Sequence, residues 1–244
     1  MHTGEDTSRF LAAGFDVVAV EANPELVSAA TETFATAIGN GRLTIVSAAV
    51  APERGTARLG ISDLTIWSSL DPEMIARNER AGSSYRYVDV DAVSFEEVLE
   101  RFGVPGYLKI DIEGYDMLCV RALRRFADTP LYLSVESSVS TNDAPSEAVF
   151  DELAELWSQG YRRFRYVNQR TGRNEPPTDT GWPGPRWRAA TSALAQANAL
   201  RLHHNIVGTG GTWTGRLPGR IYGRIRRRLG HQEPWYDLHA TRPG

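Results

Sequence analysis

Three features of this 244-residue sequence predict an α/β fold with a mainly parallel sheet covered by helices on both faces. Short apolar and β-branched runs recur at Phe15–Val20, Leu43–Val50, Tyr107–Ile112 and Pro130–Val135. Helix signals separate several of them, and an acid stands at or just past the end of three: Glu21, Asp111 and Glu136. Strands alternating with helices are the pattern of parallel pairs joined by crossover helices.

The elements follow in order. Phe-Asp-Val-Val-Ala-Val, residues 15–20, reads as a strand. Asn23 then supplies a cap and Pro24 a first-turn proline for a helix through Ile38, closed by Gly39. Leu43–Val50 is the next strand, and Thr56–Ile61 a short one beyond the Pro52–Gly55 turn. Ser94 and Glu97 form a capping box for a helix to Phe102 that carries Phe95, Val98, Leu99 and Phe102 on one face, with Gly103 after it. Tyr107–Ile112 is a strand, Tyr115–Phe126 a helix and Pro130–Val135 a strand leading to Glu136. Asp143 and Pro145 open a helix that turns Phe150, Leu153, Leu156 and Trp157 inward and stops at Gly160, before a polar strand over Arg162–Val167.

These elements make residues 1–168 one α/β domain, and residues 169–244 an irregular extension rich in Pro, Gly, Trp and Arg that reads as a lid or substrate region. Ala189–Leu202 is its one helix candidate. Trp182, Trp187, Trp213 and Trp235 there would either contact a bulky substrate or pin the segment to the domain. Arg216, Arg220, Arg224, Arg226, Arg227 and Arg228 form a basic cluster, suited to an anionic substrate or membrane surface or simply to a solvated helix.

Composition narrows the function classes. A net charge of −3 argues against a dedicated nucleic-acid binder, which needs positive charge to displace counterions from phosphate. Cys119 is the only cysteine, so neither an internal disulfide nor a multi-thiolate metal cage can form. No apolar run approaches the roughly 18 residues of a membrane-crossing helix. The first residues also lack the basic start and apolar core of an export signal, so a cytoplasmic location is expected.

Of 27 basic residues one alone is lysine, Lys109, in Gly-Tyr-Leu-Lys109-Ile-Asp111-Ile-Glu113-Gly114-Tyr-Asp116. An ammonium is a compact point charge on a flexible stem that can lose its proton when buried, which a guanidinium does not do. The position thus suits either chemistry that needs an amine or a pairing with Asp111 or Glu113 that holds the fold. In an open parallel sheet ligands lie outside the carboxyl ends of the strands, where Glu21, Asp111 and Glu136 stand. Glu21 could accept hydrogen bonds from ribose hydroxyls, or it could cap the following helix. Gly4 allows close backbone approach in Met1-His2-Thr3-Gly4-Glu5-Asp6-Thr7, and Asp6 or Thr7 can cap there. Neither a pyrophosphate-binding G-x-G-x-x-G nor a P-loop is present, so a cofactor with adenosine and no phosphate fits better.

Three motifs carry a family resemblance: His-Thr-Gly4-Glu-Asp6-Thr7, Val-Ala-Val-Glu21-Ala-Asn23-Pro24 and Leu-Lys109-Ile-Asp111-Ile-Glu113-Gly114. In their order and spacing the chain resembles the FkbM family of S-adenosylmethionine-dependent O-methyltransferases from residue 1 to about Glu136. Trp235-Tyr236-Asp237-Leu238-His239-Ala240 is similar to the ending of some members. The resemblance implies a Rossmann-like class I methyltransferase fold and methyl transfer to a hydroxyl of a sugar, polyketide or related small metabolite. It implies cofactor contacts at Gly4, Glu5, Asp6, Thr7, Glu21, Ala22, Asn23, Ala48 and Asp111, and catalytic roles for Lys109, Asp111, Glu113 and Glu136. Relatives carry an apolar strand ending in Asp-x-Gly just before the Met-His-Thr-Gly segment. The sheet is accordingly expected to lack its first strand, leaving an exposed groove, weak cofactor binding and an aggregation tendency. The rival reading is a truncated, non-catalytic methyltransferase-like binding protein.

Alternation along an extended strand would put Lys109, Asp111 and Glu113 on one face. One mechanism makes Asp111 the base for the acceptor hydroxyl, oriented by Lys109, with no metal. The other has Asp111 and Glu136 hold Mg²⁺, which lowers the hydroxyl pKa. His203 and His204 offer either a base reaching in from the extension or ordinary loop polar groups.

Overall fold

A computed structural model describes residues 1–63, 67–137, 147–168 and 236–242. They fall into two compact units, Met1–Val104 with Ile112–Ala127, and Pro105–Asp111 with Asp128–Gly244.

The first unit opens with α1 (Glu5–Ala12), whose N-cap is Gly4 with no side-chain cap, so Asp6 and Thr7 sit inside the first turn. Strand β1 (Val17–Glu21) leads to α2 (Pro24–Thr33), which Asn23 caps by accepting a bond from the Glu25 amide at 3.0 Å. The helix expected to run to Ile38 breaks at Phe34, where φ is −105° and ψ 19°, and resumes as α3 (Ala35–Gly39). The break has a packing partner. A Cβ on Gly4 would stand 2.6 Å from the Phe34 ring, and Gly4 has φ +83°, so glycine is required there by backbone and by neighbour alike.

Strand β2 (Leu43–Ser47) pairs in parallel with β1, Glu21 opposite Ser47. Then come β3 (Ala49–Val50), β4 (Gly55–Ser62), α4 (Pro72–Arg80), β5 (Tyr85–Val93) and α5 (Phe95–Phe102). Ser94 and Glu97 form the capping box expected for α5. Neither α4 nor β5 was anticipated, although Asp71-Pro72 starts α4 by the same device as Asn23-Pro24, with Asp71 accepting from the Glu73 amide. Ala49, Leu59, Ile61 and Val90 form a buried cluster over this sheet, against which Ala22, Ala57, Leu70 and Val88 pack. The unit is completed by α6 (Asp116–Ala122) and a 3₁₀ turn over Leu123–Arg125.

The second unit holds β6 (Tyr107–Ile110), β7 (Tyr132–Glu136), α7 (Glu147–Ser158), β8 (Arg163–Asn168) and β9 (Tyr236–Thr241), with sheet order β6-β7-β9-β8. Leu133, Val135, Leu153, Leu156, Leu238 and Ala240 are buried in it, as is Tyr161, whose hydroxyl donates to the Pro130 carbonyl at 2.9 Å. The candidate helix over 189–202, the late tryptophans up to Trp235 and the arginine cluster lie outside the described residues.

The expectation of a mainly parallel, Rossmann-like sheet is overturned. Strands fall into separate sheets of two, three and four. Among the described residues parallel pairing is confined to β1/β2, the two residues of β3 against β5, and β6/β7. The longer β4/β5 and β8/β9 ladders and the β7/β9 ladder are antiparallel. The alternation of elements counts strands and helices but not their directions. β4 leaves β3 through a tight turn with no crossover helix, and β9 enters its sheet from far along the chain. Among the described residues no helix is long and apolar enough to cross a membrane.

Gly4→Ala should destabilise the protein by about 1–2 kcal/mol for the left-handed φ, with about 1–3 kcal/mol more for overpacking against Phe34. A lowered urea midpoint at unchanged slope is the expected result, and Gly14→Ala, with φ +93° but open space around it, should show only the smaller loss.

Candidate functional site

In the first unit the end of β1 is organised around Glu21. Its Oε1 accepts from the Asn23 amide at 2.8 Å, and its Oε2 from the His2 amide at 2.9 Å and from the Met1 amino group at 3.1 Å. A carboxylate has about four lone-pair directions, so one remains on Oε1 for a further donor. Glu21 does not cap α2; Asn23 does. Asn23 is 1 % exposed, and its Nδ2 is buried with no hydrogen-bond partner. An orphan amide donor next to an oriented carboxylate suits a ligand with both hydroxyls and acceptor atoms, as adenosine has. Ala22 packs against the buried sheet cluster, and the Ala48 amide donates to the Glu21 carbonyl at 3.1 Å. Glu5 is exposed on the first turn of α1, Asp6 lies 3.4 Å from Arg9, and Thr7 is buried.

In the second unit the register sets polar side chains in rows on one face. Lys109 stands opposite Ser134, Ser134 opposite His239 and His239 opposite Arg165. Because side chains repeat every second residue, Glu136 and Asp237, which also face each other, lie on the same face one step along. Asp111 follows directly on β6, where Ile110 pairs with Val135, and so arrives beside Glu136. Carboxylate oxygens of Asp111 and Glu136 lie within 4.8 Å of one another. Lys109 Nζ is 3.4 Å from Asp111 Oδ2, both side chains partly exposed. Lysine and acids therefore meet at a strand end, as a reacting centre for a hydroxyl would need.

Ser134 Oγ and His239 Nε2 are 3.4 Å apart. Burial, followed by the charges of Arg165 and Lys109, holds the His239 imidazole below its ordinary pKa, favouring the neutral ring. Ser134, Asp237 and His239 were not among the expected site residues. The signal was Asp237-x-His239, a spacing that places both on one face of a strand. The histidines considered instead, His203 and His204, lie outside the described residues.

Glu113 does not continue the Lys109–Asp111 alternation. The strand stops at Ile110, and Glu113 has φ +52°, in the left-handed region. It belongs to a tight loop of the first unit that runs into α6.

The family model for the methyltransferase FkbM domain matches residues 1–163. No curated protein and no solved structure matches the chain.

The depressed His239 pKa makes a stability prediction. At neutral pH the ring is unprotonated in both states; as pH falls below the unfolded value near 6.5, the unfolded chain takes the proton first and stability is lost until the lower folded pKa is passed. Between pH 7 and 5 the urea midpoint should fall more steeply in the wild-type protein than in His239→Gln, the carboxylates common to both cancelling in the comparison.

Proposed function

We infer, because the chain belongs to the methyltransferase FkbM domain family, that it transfers a methyl group from S-adenosylmethionine to a hydroxyl oxygen of a sugar, polyketide or related small metabolite. The observation that carries the reading is the Lys109–Asp111 ion pair at the end of β6 with Glu136 beside it. In this reading Glu21 and Asn23 bind the adenosine moiety, with Gly4, Glu5, Asp6, Thr7, Ala22, Ala48 and Asp111 completing the cofactor contacts. Glu21 offers its remaining acceptor direction to a ribose hydroxyl and Asn23 its unpartnered amide.

S-adenosylmethionine supplies an electrophilic sulfonium methyl whose bonding pair stays with sulfur. Asp111 takes the proton of the acceptor hydroxyl as the new carbon–oxygen bond forms, and Lys109 orients the Asp111 carboxylate through their ion pair. Glu136 beside Asp111, and Glu113, are the further acids to which this reading gives catalytic roles. A second reading rests on the same Asp111–Glu136 proximity: both offer hard oxygen donors that suit Mg²⁺, an ion that would make the hydroxyl more acidic.

Titration calorimetry with S-adenosylmethionine tests the binding half, and Glu21→Gln should weaken the affinity by about 10-fold or more through the lost charged hydrogen bond. A folded sample that binds no donor would favour the non-catalytic binding protein. For the chemical half, Asp111→Asn should lower turnover, followed as S-adenosylhomocysteine release with hydroxyl acceptors, by about 10²–10⁴-fold. Exhaustive chelation should leave the wild-type rate unchanged; a rate lost with EDTA and restored by Mg²⁺ would select the second reading.

A further inference from the structure

We propose that Asp116 and Ser69 are positioning residues that clamp the backbone around Glu113 in its left-handed conformation and so fix the direction in which the Glu113 carboxylate is presented. The inference rests on the reading of Glu113 as part of the methyl-transfer site.

Glu113 has φ +52°, a strained conformation that a non-glycine residue keeps only where its surroundings impose it. The surroundings do so at each peptide. Asp116, only 8 % exposed, accepts from the Ile112 amide through Oδ1 at 3.2 Å and from the Gly114 amide through Oδ2 at 3.3 Å, gripping the residues on either side of Glu113. Ser69 Oγ donates to the Glu113 carbonyl at 2.6 Å and accepts from the Asp71 amide at 2.9 Å, which ties the loop to the start of α4. Gly114 follows with φ +116°, and a Cβ there would stand 3.0 Å from Asp71 Oδ2, so the loop cannot relax through that residue either.

The two Asp116 bonds and the Ser69 donation take main-chain groups of the 112–114 segment. Asp116 is the first residue of α6 yet turns its carboxylate back on the preceding loop, while the N-cap of α6, Tyr115, makes no side-chain cap bond. If helix capping were the purpose, the carboxylate would reach the first-turn amides of α6 instead. A buried carboxylate that accepts from two loop amides, on either side of one strained residue that carries a charge, is a device for aiming that charge.

A double-mutant cycle tests the clamp without reference to any acceptor. Asp116→Asn replaces one accepting oxygen by an amide and should lower the thermal midpoint by several degrees. In a Glu113→Gly background, where the left-handed φ needs no restraint, the same change should lower it by less than half as much. Ser69→Ala, in both backgrounds, serves as the second pair should Asp116→Asn fail to fold. Equal losses in the two backgrounds would overturn the proposal. The ¹³C carboxylate resonance of Glu113, assigned by its loss in Glu113→Gln, should move toward that of a free glutamate in Asp116→Asn and in Ser69→Ala. An unmoved resonance means that the clamp does not aim the side chain, and the proposal fails. S-adenosylmethionine calorimetry on the same samples separates the two ideas: a wild-type protein that shows the coupling and the resonance shift but binds no donor removes the methyl-transfer reading and leaves the clamp standing.

Discussion

The second unit depends on one pairing, that of β9 with both of its neighbours. Tyr236–Thr241 lies between β7 and β8 and runs antiparallel to each, and among the described residues β8 has no other partner in the sheet. The strand contributes Leu238 and Ala240 to the buried side and Asp237 and His239 to the polar side. Period-two alternation makes this division of labour unavoidable: a slip of one residue would exchange the faces of Asp237 and His239 with those of Leu238 and Ala240. The same constraint that holds the core therefore sets the register of the polar rows containing Lys109, Ser134 and His239.

The two ends of the proposed chemistry are held in different ways. Around Glu21 the backbone supplies the order: two main-chain amides fix the carboxylate, and Asn23 divides its amide between capping α2 and an unpartnered donor. Around Lys109 and Asp111 the sheet supplies it, through the alignment of neighbouring strand ends. Around Glu113 neither suffices, because the chain has left the strand and not yet entered α6, and side-chain bonds from Asp116 and Ser69 take over. Precise placement in such a gap requires committed polar groups, since a short irregular segment has no ladder of its own.

What was legible in the sequence was local. The Ser94–Glu97 box, the Asn23-Pro24 start and the strand before Asp111 all depend on residues a few positions apart; the first two stand where the pattern puts them, and the strand starts at Tyr107 as expected but ends two residues early, at Ile110. Strand direction was not legible, because β4 and β9 choose their partners through contacts distant along the chain, and the mainly parallel sheet was lost on that account. The continuous helix to Ile38 failed at Phe34, whose ring packs against a glycine far earlier in the sequence. At the candidate site the same rule separates Lys109 and Asp111, found from their strand, from Ser134 and His239, which meet only once β9 is in place. Glu113 leaves the strand alternation because periodicity assumes an extended chain, and positive φ leaves no trace in a glutamate.

Ser134 and His239 are 105 positions apart in the chain. During synthesis β6, β7 and β8 leave the ribosome well before β9, so the β8/β9 ladder can form only after the following residues are made. Pairing residues so far apart in the chain is slow, and exposed strand edges are where chains stick to one another. The assembly of this unit is thus tied to the arrival of six late residues. A nascent chain stalled before Tyr236 would be a natural client for chaperones that shield unpaired β-edges.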